Sequence, residues 1–299
     1  MTERWQKGDA SVQAGARCIQ ATIERALAEG KGCLIGRHGT IELTALLMDD
    51  SGKIRFDNER LFALETNAGI FPYQYTYLKE WLTAYKEASE EADVMAVGWH
   101  APLARSEWNL LSRINPQVAR IPLRSLEPYY CLSTHHWTRA LAGQKVCVVS
   151  SFADLMGGQL EYIEKVWPQC DTVIPKSASW SFVRSYYCPK VARGKCQWGE
   201  GVNSWLDAVT WMEAEVMKNS PRIVLIGCGG LAMPLASRLK KRGCICVVLG
   251  GAIQIMFGIK GRRWENHPII SQYFNDDWIF PPEDMIPDGA LAVEGGCYW

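Results

Sequence analysis

The sequence predicts an α/β fold: a doubly wound and mostly parallel sheet of about seven strands, with helices on both faces. Short β-branched apolar runs alternate with segments of helical periodicity along the 299 residues. Two of these runs, residues 222–227 and 244–249, enclose a helical segment. Strands joined by a helical crossover are almost always parallel, so these two runs indicate a parallel sheet.

Each predicted strand is a short apolar run bounded by glycine, proline or polar residues. Residues 145–150 show this most clearly, because four consecutive apolar residues are followed by Ser150 and Ser151. In chain order, the predicted strands are residues 32–36, 94–99, 118–123, 145–150, 172–175, 222–227 and 244–249.

Each predicted helix carries apolar residues every three or four positions, which places them on one face. The first pattern stops at Gly30, and the pattern over residues 231–242 repeats leucine every four positions and stops at Gly243. In chain order, the predicted helices are residues 12–27, a segment ending near 48, 57–68, 73–91, a segment beginning near 106, 155–166, 203–218, 231–242 and 252–257.

The remaining stretches lack a clear period. Residues 125–141 and 176–201 are rich in aromatic residues, and we expect them to be irregular. The aromatic residues of the first stretch fit half-buried packing or stacking on a sugar or base. After residue 264 the chain is rich in proline and aspartate, which predicts an irregular tail over residues 265–299. We therefore expect one α/β domain over residues 1–299, with this tail lying over it.

Composition excludes several classes of function. Lys plus Arg equals Asp plus Glu, at 32 each, so no broad basic surface for nucleic acid or an anionic membrane is expected. No apolar run approaches the roughly 20 residues that span a bilayer, and no signal-peptide core follows the polar start. The 11 cysteines include no Cys-x-x-Cys pair, which is typical of reduced thiols. We expect a soluble, cytoplasmic protein that binds no nucleic acid and has no transmembrane segment.

Polar residues follow the first predicted strands. Because the carboxyl ends of parallel strands meet at one edge of the sheet, Arg37, Glu42, His100 and Asp154 should lie near the later glycine turns. Arg37 could bind a phosphate or carboxylate, and Glu42 is a candidate general base or ligand of a divalent cation. His38 and His100 are alternative proton-transfer groups. Each residue also has a purely structural interpretation, as an ion pair or as a partner of a local carbonyl.

Glycine turns follow the last two predicted strands, and a basic segment comes next. Glycine lets a phosphate approach the backbone, where N–H groups and a helix N-terminus can bind it. The alternative is that these glycines only form tight turns. The predicted anion-binding residues in this region are Gly227, Gly229, Gly230, Gly250, Gly251, Lys260, Arg262 and Arg263.

The turn that begins at Gly227 also fits a loose dinucleotide pattern, with Ala232 at its last position. An oxidoreductase or a methyltransferase is therefore an alternative function. Both normally carry an acidic residue at the end of the next strand, yet here that strand ends in Leu249, Gly250 and Gly251. A non-catalytic nucleotide- or protein-binding module is a further alternative.

Residues 37–42, Arg37-His38-Gly39-Thr40-Ile41-Glu42, resemble the Arg-x-Gly-Asp-Gly-Glu signature near the start of glycosyltransferases with the GT-D fold. Thr40 stands where that signature has Asp, and Ile41 where it has Gly. The later glycine turns, continued to Gln254, also resemble this family's C-terminal half. Residues 251–264 are similar to a segment of uncharacterised bacterial proteins related to polysaccharide biosynthesis.

The resemblance implies a Rossmann-like enzyme that transfers a sugar from a nucleotide-diphosphate donor to a glycan or polysaccharide acceptor. It implies that Arg37, Gly39 and Gln254 belong to the donor site, and that Glu42 meets a divalent cation, Mn²⁺ or Mg²⁺. Thr40 is important for the implied cation site, because it replaces one of the two carboxylates of the family's Asp-x-Glu element. The resemblance leaves open the sugar, the acceptor, the stereochemical course and the oligomeric state, including a homo-oligomer.

Overall fold

A computed structural model describes residues 7–50, 52, 57–98, 100–168 and 172–299. Over these residues the chain forms one seven-stranded sheet in the order β3-β2-β1-β7-β6-β4-β5. All six neighbouring pairs are parallel. The predicted fold class is confirmed. The strands are β1 (Cys33–Arg37), β2 (Val94–Val97), β3 (Ala119–Pro122), β4 (Lys145–Ser150), β5 (Ser179–Arg184), β6 (Ile223–Gly227) and β7 (Ile245–Val248).

The helices begin and end close to the predicted positions. Gly30 ends the first helix in the left-handed conformation, with φ of 66°, and Asp57 and Ser204 cap later helices through their side chains. The helices are α1 (Ala10–Glu29), α2 (Thr40–Asp50), α3 (Asn58–Thr66), α4 (Tyr75–Glu90), α5 (Ala104–Ile114), α6 (Ala153–Gln159), α7 (Ile163–Val166), α8 (Pro189–Ala192), α9 (Trp205–Lys218), α10 (Ala232–Lys241) and α11 (Ala252–Met256).

One strand was predicted in the wrong place. Residues 172–175 form turns, and the strand at this edge of the sheet is β5, inside the stretch expected to be irregular. β5 pairs only with β4, and most of its residues are partly exposed. An edge strand of this kind can alternate serine with aromatic residues, so it lacks the continuous apolar run that marks a buried strand. Residue 99, at the end of the predicted second strand, lies outside the described residues.

The sheet is covered on both faces. α10 packs on β1, β6 and β7 and against α4 and α9, whereas α1 packs on β1, β3 and β7 and against residues 123–141. The central strands are buried apart from end residues such as Arg37, Lys145 and Gly227, as expected for parallel strands with helices on both faces. The predicted helix over residues 155–166 is interrupted, because a 3₁₀ turn (Leu160–Tyr162) separates α6 from α7.

Two irregular segments complete the structure. Residues 123–141 form a series of 3₁₀ turns, and their aromatic side chains, including Tyr129, Tyr130 and Trp137, are buried. The tail over residues 265–299 contains further 3₁₀ turns, as expected of an irregular segment, and Ile279 pairs with Ile259 in an isolated bridge. Within the described ranges, no helix is long and apolar enough to cross a membrane.

Candidate functional site

A cavity of about 230 Å³ lies at the carboxyl edge of the sheet. Residues that follow β1, β3, β4, β5, β6 and β7 all contribute to its wall, together with the loop after α3 and the end of the tail. The edge is where parallel sheets usually bind ligands. The cavity brings together several of the predicted site residues: Arg37, Gly39, Glu42, Gly227, Gly229, Gly250, Gly251, Gln254 and Arg263.

At the carboxyl end of β1, the side chains of Arg37 and His38 lie in different environments. Arg37 lines the cavity, and one Nη atom donates to the His38 carbonyl at 3.2 Å. The His38 ring is buried elsewhere, with Nδ1 3.0 Å from Glu107 Oε1 and Nε2 3.1 Å from Ser89 Oγ. The same Glu107 carboxylate accepts from the Gly98 backbone at 2.9 Å. His38 therefore ties the β1 exit to the β2 exit and is not part of the cavity wall.

Glu42 lies in the first turn of α2, and its carboxylate folds back onto Gly39. A Cβ atom placed on Gly39 would be 2.0 Å from Glu42 Oε2. Burial raises the pKa of the Glu42 carboxyl above its ordinary value, and the negative charge of Glu294 adds to this, while Arg37 acts in the opposite direction. A buried carboxyl with a raised pKa is the kind of group that serves as a general acid or base near neutral pH.

The two glycine turns meet at the floor of the cavity. A Cβ on Gly227 would lie 2.8 Å from the Gly250 carbonyl oxygen, and a Cβ on Gly250 would lie 2.8 Å from Arg37 Nη1. Gly229 and Gly250 both have φ of 60°, a conformation that favours glycine. These contacts explain why glycine is needed at positions 227 and 250. They also show that the residues after β7 lie directly against the Arg37 guanidinium.

The end of the tail packs against the second glycine turn, where a Cβ on Gly251 would lie 3.0 Å from the Tyr298 ring. Gln254 Nε2 donates to the carbonyls of Lys260 and Tyr298, both at 2.8 Å. Arg263 Nη1 donates to the Tyr298 hydroxyl at 2.9 Å, and Nη2 is paired with Glu294. Burial raises the pKa of the Tyr298 phenol to about 12, so it stays protonated near neutral pH. Gln254 and Arg263 thus hold the tail in the cavity.

Other predicted residues lie outside this wall. Gly230 donates its backbone N–H to Ala68 at 2.8 Å, and Lys260 Nζ lies over the Phe274 and Phe280 rings. Arg262 and His100 are exposed at the surface. Asp154, expected at the same edge, pairs with Arg184 at 3.1 Å. The roles first predicted for His38, His100, Gly230, Lys260 and Arg262 therefore find no support in their positions.

The wall does not fit a metal ion held by protein groups alone. Within the described residues, no cluster of three or more His, Cys, Asp or Glu side chains could hold one. Glu42, Glu127 and Glu294 are the carboxylates of the wall, and each lies near a guanidinium group, that of Arg37, Arg124 and Arg263 respectively. Thr40, in place of the Asp of the resembling signature, also lines the cavity. The expected Mn²⁺ or Mg²⁺ stays a prediction.

Several wall residues were not singled out from the sequence. The wall residues after β5 were missed because that strand was predicted in the wrong place. The wall residues of the tail were missed because a long irregular segment carries no local signal of which part of the fold it contacts. Arg124 and Glu127 form a buried ion pair at the β3 exit, at 2.5 Å, and a three-residue spacing of opposite charges was the available signal. Additional wall residues include Thr66, Asn67, Arg124, Glu127, Ser185, Tyr187, Glu294, Tyr298 and Trp299. Ser150 and Ser151, at the predicted exit of β4, and the aromatic residue Tyr129 also line the cavity.

Comparison with known proteins identifies a distant similarity. No protein-family model matches the chain, and no curated protein is significantly similar to it. One solved structure, described as the highly conserved domain of unknown function 1792 with a distinct glycosyltransferase fold, is 13% identical over 81% of each chain, with a TM-score of 0.45. A selenomethionine-substituted structure of domain of unknown function 1792 is 12% identical over 81% of each chain, with a TM-score of 0.44. Site residues and substrates do not transfer at this level of similarity.

Proposed function

We propose that this protein is a glycosyltransferase that moves a sugar from a nucleotide-diphosphate donor to a hydroxyl group of a glycan acceptor. The observation that carries the proposal is the meeting of Arg37 and Glu42 with the Gly250 turn in one cavity. These elements come from opposite ends of the chain. Together they bring a guanidinium group, a buried carboxyl group and a backbone segment without side chains into one cavity.

The leaving diphosphate is the group that most needs stabilisation in such a transfer. Arg37 and Arg263 supply positive charge to the cavity, and a guanidinium can bind phosphate oxygens through two parallel hydrogen bonds. Groups held in place before the reaction stabilise developing negative charge without reorganising. Gly227 and Gly250 keep side chains out of the same region. This half of the cavity is therefore suited to the diphosphate.

Glu42 is suited to activate the acceptor. In the proposed reaction, a bond forms between the acceptor oxygen and the anomeric carbon, while the bond from that carbon to the diphosphate oxygen breaks. The acceptor hydroxyl gives its proton to the Glu42 carboxylate, and the diphosphate leaves with the bonding electron pair. The raised pKa of Glu42 makes its carboxylate a stronger base than a solvent-exposed one. Because Gly39 has no side chain, the Glu42 carboxylate has room to lie against it.

Titration with nucleotides tests the proposal. Thermal-shift and calorimetric measurements with uridine diphosphate, nicotinamide dinucleotides and S-adenosylmethionine compare the three ligand classes, and a nucleotide-sugar panel with and without Mn²⁺ follows. We expect stabilisation by a nucleoside diphosphate, and slow release of the nucleotide from its sugar derivative. Stabilisation by a dinucleotide or S-adenosylmethionine alone would contradict the proposal. Binding of a nucleotide sugar without turnover would favour the non-catalytic binding module.

A further inference from the structure

Arg263 already carries an anionic partner from its own chain. Its guanidinium pairs with the Glu294 carboxylate, and both residues line the cavity. Their side chains are 30% and 36% exposed, so a solute that enters the cavity can reach the pair. An ion pair of this exposure is weak, because water screens the attraction. The same guanidinium could bind phosphate oxygens in place of the carboxylate.

Glu294 also adds unfavourable charge to a site for an anion. It lies close enough to Glu42 for its charge to raise the pKa of that carboxyl. A diphosphate bound at Arg37 and Arg263 would lie close to the same carboxylate, and these like charges would repel each other. Glu294 and a bound diphosphate are therefore alternatives at Arg263.

The backbone at Glu294 has an unusual, left-handed conformation. Glu294, Gly295 and Gly296 follow one another with φ of 46°, 72° and 77°. The left-handed region is unfavourable for glutamate, whereas the two glycines can adopt many other conformations. The Glu294 backbone N–H is held by one long hydrogen bond of 3.3 Å to Asn67 Oδ1. Glu294 and Gly295 are exposed, whereas Val293 and Gly296 on either side are buried, so movement with the Glu294 carboxylate is confined to residues 294–295.

We propose that Glu294 occupies Arg263 in place of the ligand phosphate, so that the diphosphate of a donor binds by displacing the Glu294 carboxylate. This inference rests on the proposed function, which supplies the diphosphate. It makes Glu294 a residue that sets donor affinity, and it predicts that residues 294–295 move when the donor binds.

Calorimetry with uridine diphosphate and inorganic pyrophosphate tests this inference on the full-length chain. We expect Glu294→Gln to bind both probes about threefold to tenfold more tightly than the original protein at low salt, with a smaller difference at high salt. Glu283→Gln is the matched control, because it makes the same change in the same tail at an exposed position outside the cavity. Its affinities should stay within about twofold of the original values.

A double variant separates displacement at Arg263 from general charge repulsion by Glu294. Adding Glu294→Gln to Arg263→Gln should give a smaller gain in affinity than Glu294→Gln gives alone, because the guanidinium for which the two anions compete is gone. An equal gain in both backgrounds overturns the inference. Equal or weaker binding by a folded Glu294→Gln protein overturns the inference and leaves the proposed function intact. Failure of the original protein and of Glu294→Gln to bind either probe contradicts the proposed function itself.

Discussion

The Glu42 carboxylate lies where a side chain on Gly39 would have to be, with 2.0 Å between Glu42 Oε2 and a Cβ built on that glycine. The turn between β1 and α2 therefore needs glycine at this position so that Glu42 can fold back toward the cavity. The two residues are coupled, and substitutions at either one should affect the same property.

Gly39→Ala tests this coupling. The added methyl group should push the Glu42 carboxylate out of its position and lower transferase activity by at least about tenfold, since misplacing a reacting group is costly. Gly158→Ala is the control, because a Cβ there meets no other atom within 4 Å and the residue lies in a helix. Activity and thermal unfolding of both variants would be measured. Equal activity in the two folded variants would show that the position of Glu42 is unimportant.

Glu42→Gln should lower turnover by about 100-fold or more while leaving nucleotide binding largely unchanged, as expected for loss of a general base. Single-turnover kinetics and calorimetry would separate the two effects. Full activity in this variant would remove Glu42 from the proposed reaction.

Glu42 should also make stability depend on pH in a particular direction. Its carboxyl has an ordinary pKa of 4.5 in the unfolded chain, and burial raises that value in the folded protein. Between the two values the folded state binds more protons, so stability falls as pH rises. The Glu42→Gln variant has no carboxyl group at this position, so its stability should not fall for this reason as pH rises. Melting curves should therefore shift in favour of the variant as pH rises above 4.5, and a difference that is independent of pH would contradict the raised pKa.

Arg262 and Arg263 form a natural pair of test and control positions. Arg263→Gln should weaken binding of uridine diphosphate by about tenfold to a hundredfold, the usual effect of losing a charge-assisted hydrogen bond. Arg262→Gln makes the same change at an exposed site outside the cavity and should leave the affinity nearly unchanged. Calorimetry at two salt concentrations would measure both. Equal weakening would mean that only the general charge of this segment matters.

Gly250→Ala should disturb Arg37. Gly250 has φ of 60°, and a Cβ there would lie 2.8 Å from Arg37 Nη1. Gly143→Ala is the control, because its φ is 73° but a Cβ there meets nothing within 4 Å. Both variants should lose about 1 to 2 kcal/mol of stability from the left-handed backbone. Only Gly250→Ala should lose nucleotide affinity, and a similar loss in both would contradict the contact.

The sequence predicted the parts of this structure that rest on local patterns. β4 matches residues 145–150, and Gly30 ends the first helix as predicted, because burial and capping act over a few neighbours. The approach of Arg37 to Gly250 followed from parallel topology alone. Glu294 could not be predicted, because nothing in residues 265–299 encodes locally that this tail returns to the β1 exit. β5 was missed because an edge strand needs no continuous apolar run.

The sheet order has a consequence for how the protein is made. β1 lies between β2 and β7, with Cys33 beside Ile245, so one side of the first strand finds its partner only after β2 to β6 have been synthesised. Until then, the nascent chain exposes an unpaired strand edge, which is a known route to aggregation. A prematurely terminated chain that lacks β7 would carry this open edge while having no floor or tail to its cavity. Such a product would be a burden for cellular quality control.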